Sequence, residues 1–209
     1  MALSDRASSR MTAGICDRAA LRASQATGVP IDVLRAVTRT ETGRNAGGKL
    51  EPWPWTVNME GAGRWFDTLD GARAYVFKHF KAGARSFDVG CFQINYRWHS
   101  KHFKSIDEMF DPNANAQYAA TFLRALHDEL GDWSRAAGAY HSRTPKYAKI
   151  YTARFDRIRA DLREQPDPAP QLAGPIPLVS SGSGRLGSLV PLPSKSGGAS
   201  SLAFFDEGN

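Results

Sequence analysis

The stretch from Asp111 to Leu162 constrains this chain most, because it reads as three helices with their ends marked. Asp111-Pro112 supplies a capping carboxylate followed by proline at the first helical position, where its missing N–H costs nothing. Ala116, Ala119, Ala120, Leu123, Leu126 and Leu130 then recur at helical spacing until Gly131 stops the run. Asp132 caps a second helix on which Trp133, Ala136, Ala137 and Tyr140 share a face. After Thr144-Pro145, the stripe Tyr147, Tyr151, Phe155, Ile158 and Leu162 marks a third. These stripes read as core, and a chain built this way is mainly α.

The first half carries two more helices, about 12–27 and the one Pro30 opens. On the latter, Leu34, Val37 and Glu41 share a face, while Arg35 and Arg39 fall on the side expected to be solvated. Glu41 therefore points where the apolar residues point. Gly43 reads as a C-cap signal, which places Glu41 in the last helical turn. Partial burial and the negative end of the helix dipole both raise a carboxyl pKa there, as a general acid requires. The plain alternative is a boundary glutamate whose head reaches water.

Between these halves the pattern changes. Trp55, Val57 and Met59 alternate, and Gly61 and Gly63 precede Trp65-Phe66, which reads as a small β-hairpin. Trp53, Trp55 and Trp65 fall close together there, either as a satellite core or as a stacking platform for a flat-faced ligand. A helix from about Leu69 to Ala82 follows. In the apolar run 86–96, Gln93 and Asn95 need hydrogen-bond partners from the protein or from a ligand.

Lys+Arg 27 against Asp+Glu 21 gives a net charge of +6. That suits nucleic acid, anionic lipid and cell-wall polymer alike. The basic residues are scattered without a nucleic-acid-binding motif, so that class is set aside. No apolar run reaches the ~20 residues that span a bilayer, and the first residues have no apolar signal-peptide core. Cys16 and Cys91 allow one pairing, as a disulfide or as two buried thiols. Neither has a partner at metal-ligand spacing, so no metal and no cofactor are expected. The expected organisation is a flexible leader over 1–11, a domain over 12–163, and a disordered tail over 164–209. That tail holds seven of the 12 prolines and seven of the 19 glycines.

Four motifs in order resemble the SLT-type lytic transglycosylases, enzymes with a lysozyme-like helical domain. Glu41-Thr42-Gly43 is similar to the family's E-S-G, and Gly90-Cys91-Phe92-Gln93-Ile94 to its G-L-M-Q-I. Ala139-Tyr140-His141-Ser142-Arg143 stands where the family has A-Y-N-A-G. Asp111-Pro112-Asn113-Ala114-Asn115-Ala116 is similar to its D-P-x-x-N-I segment. The resemblance implies a lysozyme-like domain with a small β-hairpin insertion. It also implies cleavage of the β-1,4 bond between N-acetylmuramic acid (MurNAc) and N-acetylglucosamine (GlcNAc) in peptidoglycan, leaving 1,6-anhydro ends.

By position, Glu41 would serve as acid and then base, Gln93 and Asn95 would bind sugar substituents, and Tyr140 would sit near Glu41 and orient it or steady the oxocarbenium-like transition state. Thr42 keeps the hydroxyl of the usual serine and is a further candidate for substrate binding, and Trp53 and Trp55 become candidates for sugar stacking. The Trp-rich insertion and the tail resemble specialised members that open the wall for flagella or secretion machines, with the tail as partner handle. The substrate implies the periplasm. In an exported protein Cys16 and Cys91 could form a disulfide. The rivals are a goose-type lysozyme using water, with Asp88 as second carboxylate or merely a turn residue, and a catalytically silent glycan-binding adaptor.

Overall fold

A computed structural model describes residues 2–164, and the expected tail lies outside the described residues. The helices are α1 (Ala2–Thr27), α2 (Ile31–Thr42), α3 (Leu69–Lys81), α4 (Tyr96–His99), α5 (Ile106–Phe110), α6 (Pro112–Leu130), α7 (Trp133–His141) and α8 (Pro145–Glu164). The strands are β1 (Arg44–Ala46), β2 (Lys49–Glu51), β3 (Thr56–Met59), β4 (Ala62–Trp65), β5 (Phe87–Val89) and β6 (Ile94–Asn95). This is a mainly α, lysozyme-like arrangement with a small sheet.

The end signals of the long helices act as written. Asp111 accepts from the N–H groups of Asn113 and Ala114, Asp132 accepts from that of Arg135, and Gly131 takes the left-handed conformation after α6. One boundary needs correction. The first helix begins at Ala2, so residues assigned to a flexible leader are helical. That leader contains no glycine or proline and several good helix formers; its polarity spoke against burial, not against helix.

α2 is the central helix. Val33, Leu34, Ala36 and Val37 are fully buried, and so are Thr38 and Thr42. Arg39, expected on a solvated face, is buried at 6% exposure because its guanidinium binds both carboxylate oxygens of Asp17 on α1, at 2.8 and 2.9 Å. Such a fork offsets the desolvation that an unpaired buried cation suffers. A disulfide between Cys16 and Cys91 joins α1 to the loop between β5 and β6.

The expected hairpin is β3–β4, with Thr56 opposite Trp65 and Met59 opposite Ala62. Glu60 and Gly61 turn it with positive φ at both central residues, the primed turn that matches strand twist. β5 and β6 extend the sheet in the order β4-β3-β5-β6. Val57 and Met59 face the core while Asn58 faces away, as the period of two demands. No helix among the described residues is long and apolar enough to cross a membrane.

Candidate active site

A cleft of about 550 Å³ opens between the sheet and the ends of the helices. Glu41 lines it from α2, Asn58 from β3, Arg64 and Trp65 from β4, and Asp88 from β5. Gln93, Asn95 and Trp98 follow on the next segment, then Phe122, Tyr140, His141 and Arg154 from the last three helices.

Glu41 sits where α2 runs into the cleft, and Gly43 sets that exit. A Cβ there would meet the Arg39 carbonyl at 2.2 Å and the Leu50 side chain at 2.9 Å. The glycine is thus required for space. Its backbone is extended, with φ −60° and ψ 126°, rather than the left-handed cap its identity suggested.

Burial pushes the Glu41 carboxyl up to about 7. The Tyr151 hydroxyl donates to Oε1 at 2.7 Å and pulls it down, as does the charge of Arg154, while Asp88 pushes it up. Near neutral pH such a group holds a proton about half the time, so it can give one and take one back.

Asp88 is the second carboxylate of the cleft. Asn58, Asp88 and Asn95 are direct cross-strand partners on β3, β5 and β6, so one register places all three in a row. Asn58 Nδ2 donates to one Asp88 oxygen at 3.1 Å and Asn95 Nδ2 to the other at 2.7 Å. Burial raises the Asp88 pKa while these two amides hold it down. The Oδ1 atoms of Asn58 and Asn95 are buried without a partner among the described residues. The amide expected to bind sugar is therefore also a carboxylate clamp.

Gln93 adopts φ +47°, a conformation side chains rarely take. Its Nε2 donates to the carbonyls of Thr56 and Gly90, both at 3.0 Å, which ties the loop to the sheet and leaves the amide oxygen for the cleft.

Three site expectations are corrected. Thr42 is fully buried: its hydroxyl donates to the Thr38 carbonyl at 2.8 Å and accepts the Trp53 N–H at 3.1 Å, so it fastens the hairpin and does not face the cleft. Trp53 is 4% exposed, its indole N–H donates to the Phe66 carbonyl, and the Arg44 guanidinium covers its ring at 3.3 Å. Trp55 packs against the core. Neither ring lines the cleft; Trp65 and Trp98 do, at 51% and 66% exposure. Tyr140 lines the cleft, but its hydroxyl donates to the Phe92 carbonyl at 2.7 Å. The phenol that holds Glu41 is Tyr151, which the sequence marked only as part of a core stripe.

The arrangement is a helical lysozyme-like domain with a carboxyl of raised pKa in a polar cleft. Residues 73–154 match the family model of the transglycosylase SLT domain, and the match supports a likeness to the SLT-type lytic transglycosylases. The matched segment contains Asp88, Gln93, Asn95, Tyr140, Tyr151 and Arg154, whereas Glu41 precedes it. No curated protein and no solved structure matches the chain.

Proposed function

We propose that this protein is a lytic transglycosylase that cleaves the MurNAc–GlcNAc β-1,4 bond of peptidoglycan and leaves 1,6-anhydroMurNAc ends. The observation that carries the reading is Glu41, a cleft carboxyl with a pKa of about 7 gripped by the Tyr151 hydroxyl. Protonated Glu41 donates to the leaving oxygen as the glycosidic bond breaks. The resulting carboxylate then takes the proton of the muramyl C6 hydroxyl as that oxygen closes on C1. One residue serves both steps, and no water enters the product. Gln93 Oε1 accepts from sugar hydroxyl and acetamido N–H groups, Asn58 and Asn95 hold Asp88 at the cleft wall, and Trp65 and Trp98 offer exposed rings for stacking.

The substrate places the activity in the periplasm, in keeping with a disulfide-bonded domain. Local opening of the wall for a flagellum or secretion machine, steered by a partner on the segment after residue 164, belongs to the same proposal.

A second reading, hydrolysis by water, draws support from Asp88, which lines the same cleft as Glu41 and whose charge raises the Glu41 pKa. Mass spectrometry of the products from purified peptidoglycan separates the two. Anhydromuramyl ends made by the wild type and absent with Glu41→Gln are expected. Reducing ends, lost on Asp88→Asn, would overturn the transglycosylase in favour of a hydrolase. No products from either protein would favour the silent adaptor.

A further inference from the structure

Arg154 differs from four other arginines, whose carboxylate partners the structure shows. On α8, Arg159 and Arg163 both bind Asp32, at 2.7 and 2.6 Å. Arg143 forks onto Glu129 at 2.6 and 2.8 Å, and Arg39 is spent on Asp17. Arg154 has no hydrogen bond or ion pair among the described residues. It is exposed, it sits three residues beyond Tyr151, and it lines the cleft that contains Glu41. No hydrogen bond or ion pair among the described residues holds this guanidinium, and its charge reaches Glu41.

A guanidinium offers a planar fork of donors that matches a carboxylate. The rings of a peptidoglycan strand are neutral, and its negative charge lies on the substituent at O3 of the muramyl residue. That charge is the carboxylate of the lactyl group itself or, when a peptide is attached, the first acidic residue of the peptide. We propose that Arg154 binds this carboxylate and so fixes which of the two alternating sugars sits next to Glu41. The two β-1,4 linkages of the strand are otherwise chemically alike, so a cation at this position supplies the choice between them. The inference rests on the peptidoglycan reading above, and it deepens that reading.

Arg64 provides an internal control. It also lines the cleft, but it lies on β4 with its guanidinium over the Tyr75 ring at 5.2 Å. Loss of either arginine removes one positive charge; only Arg154 is assigned the carboxylate.

The test is a binding measurement on full-length Glu41→Gln protein, which keeps the cleft and cleaves nothing. The ligands are three tetrasaccharides of two GlcNAc–MurNAc repeats, with the lactyl groups free, converted to neutral amides, or extended by L-alanyl-D-glutamate. The parent is expected to prefer a charged ligand over the neutral one by about tenfold, the scale of one exposed charge-assisted fork. Adding Arg154→Ala is expected to shrink that preference below about twofold on the same reasoning, with Arg154→Lys keeping part of it and Arg64→Ala all of it. Whichever charged ligand carries the preference identifies the source of the carboxylate. Equal binding of charged and neutral ligands by the parent, or an undiminished preference after Arg154→Ala, overturns the inference and leaves the transglycosylase reading standing. If none of the three binds, the substrate reading falls and takes this one with it.

Discussion

Glu41 owes its behaviour to neighbours that pull in opposite directions. Burial and Asp88 favour the protonated form; the Tyr151 hydrogen bond and Arg154 favour the anion. Tyr151→Phe removes one anion-favouring contact and keeps the ring, which His141 stacks at 4.7 Å and 11°. The sign follows directly: without the donor the Glu41 pKa moves further above about 7. Because the first step of the proposed mechanism needs the protonated acid, the basic limb of the kcat/KM profile should move to higher pH. The second step needs an oriented base, so kcat should fall by about 10- to 100-fold, the scale of losing one positioning contact. A pH–rate profile of Tyr151→Phe beside wild type checks both, and an unshifted limb would reduce Tyr151 to packing.

At the scale of elements, α6 carries more of the site than its one cleft residue, Phe122, suggests. Asn115 is fully buried, and its side chain makes three bonds. Its Nδ2 donates to the carbonyls of Val89 and Met109 at 3.1 and 3.0 Å, and its Oδ1 accepts the Phe92 N–H at 3.0 Å. The helix thereby pins the loop that presents Gln93. Gly90 is the matching part: its φ is +82°, and a Cβ there would meet the Asn115 amide at 2.7 Å. Asn115→Ala leaves a buried N–H and two carbonyls without partners, at about 1–3 kcal/mol each before relaxation. A loss of about 3–5 kcal/mol in urea unfolding is therefore expected for this variant, toward the upper end for a single substitution. The sequence showed Asp111-Pro112 and Asn115 only as a motif, and the structure divides the labour: the first two start α6, and the third holds the loop of Gln93.

Across the whole molecule, the legible features were local and the illegible ones joined distant parts. Caps, stripes and the hairpin turn depend on neighbours within a few residues: Gly131 and Asp132 act as read, and Gly61 lies in the expected turn. Tyr151 lies 110 residues from Glu41, and a stripe on α8 says that the phenol points inward without saying at what. The tryptophans divide the same way. Alternation with Val57 and Met59 already placed Trp55 on the core side, whereas the exposure of Trp65 depends on β4 being an edge strand. Cys16 and Cys91 are a further long-range pair, 75 residues apart, and their bond ties the first helix to the loop of Gln93. Closing a loop of that length restricts the unfolded chain, and losing such a bridge from a small domain costs about 2–5 kcal/mol. The double variant Cys16→Ala, Cys91→Ala is expected to unfold at correspondingly lower denaturant, and wild type in reducing agent to match it. Both sulfurs are fully buried, so alanine also leaves a small void, which the reduced wild type lacks. A reduced wild type as stable as the oxidised one would show that packing around Cys16 and Cys91 holds α1 to the loop of Gln93 without the covalent bond.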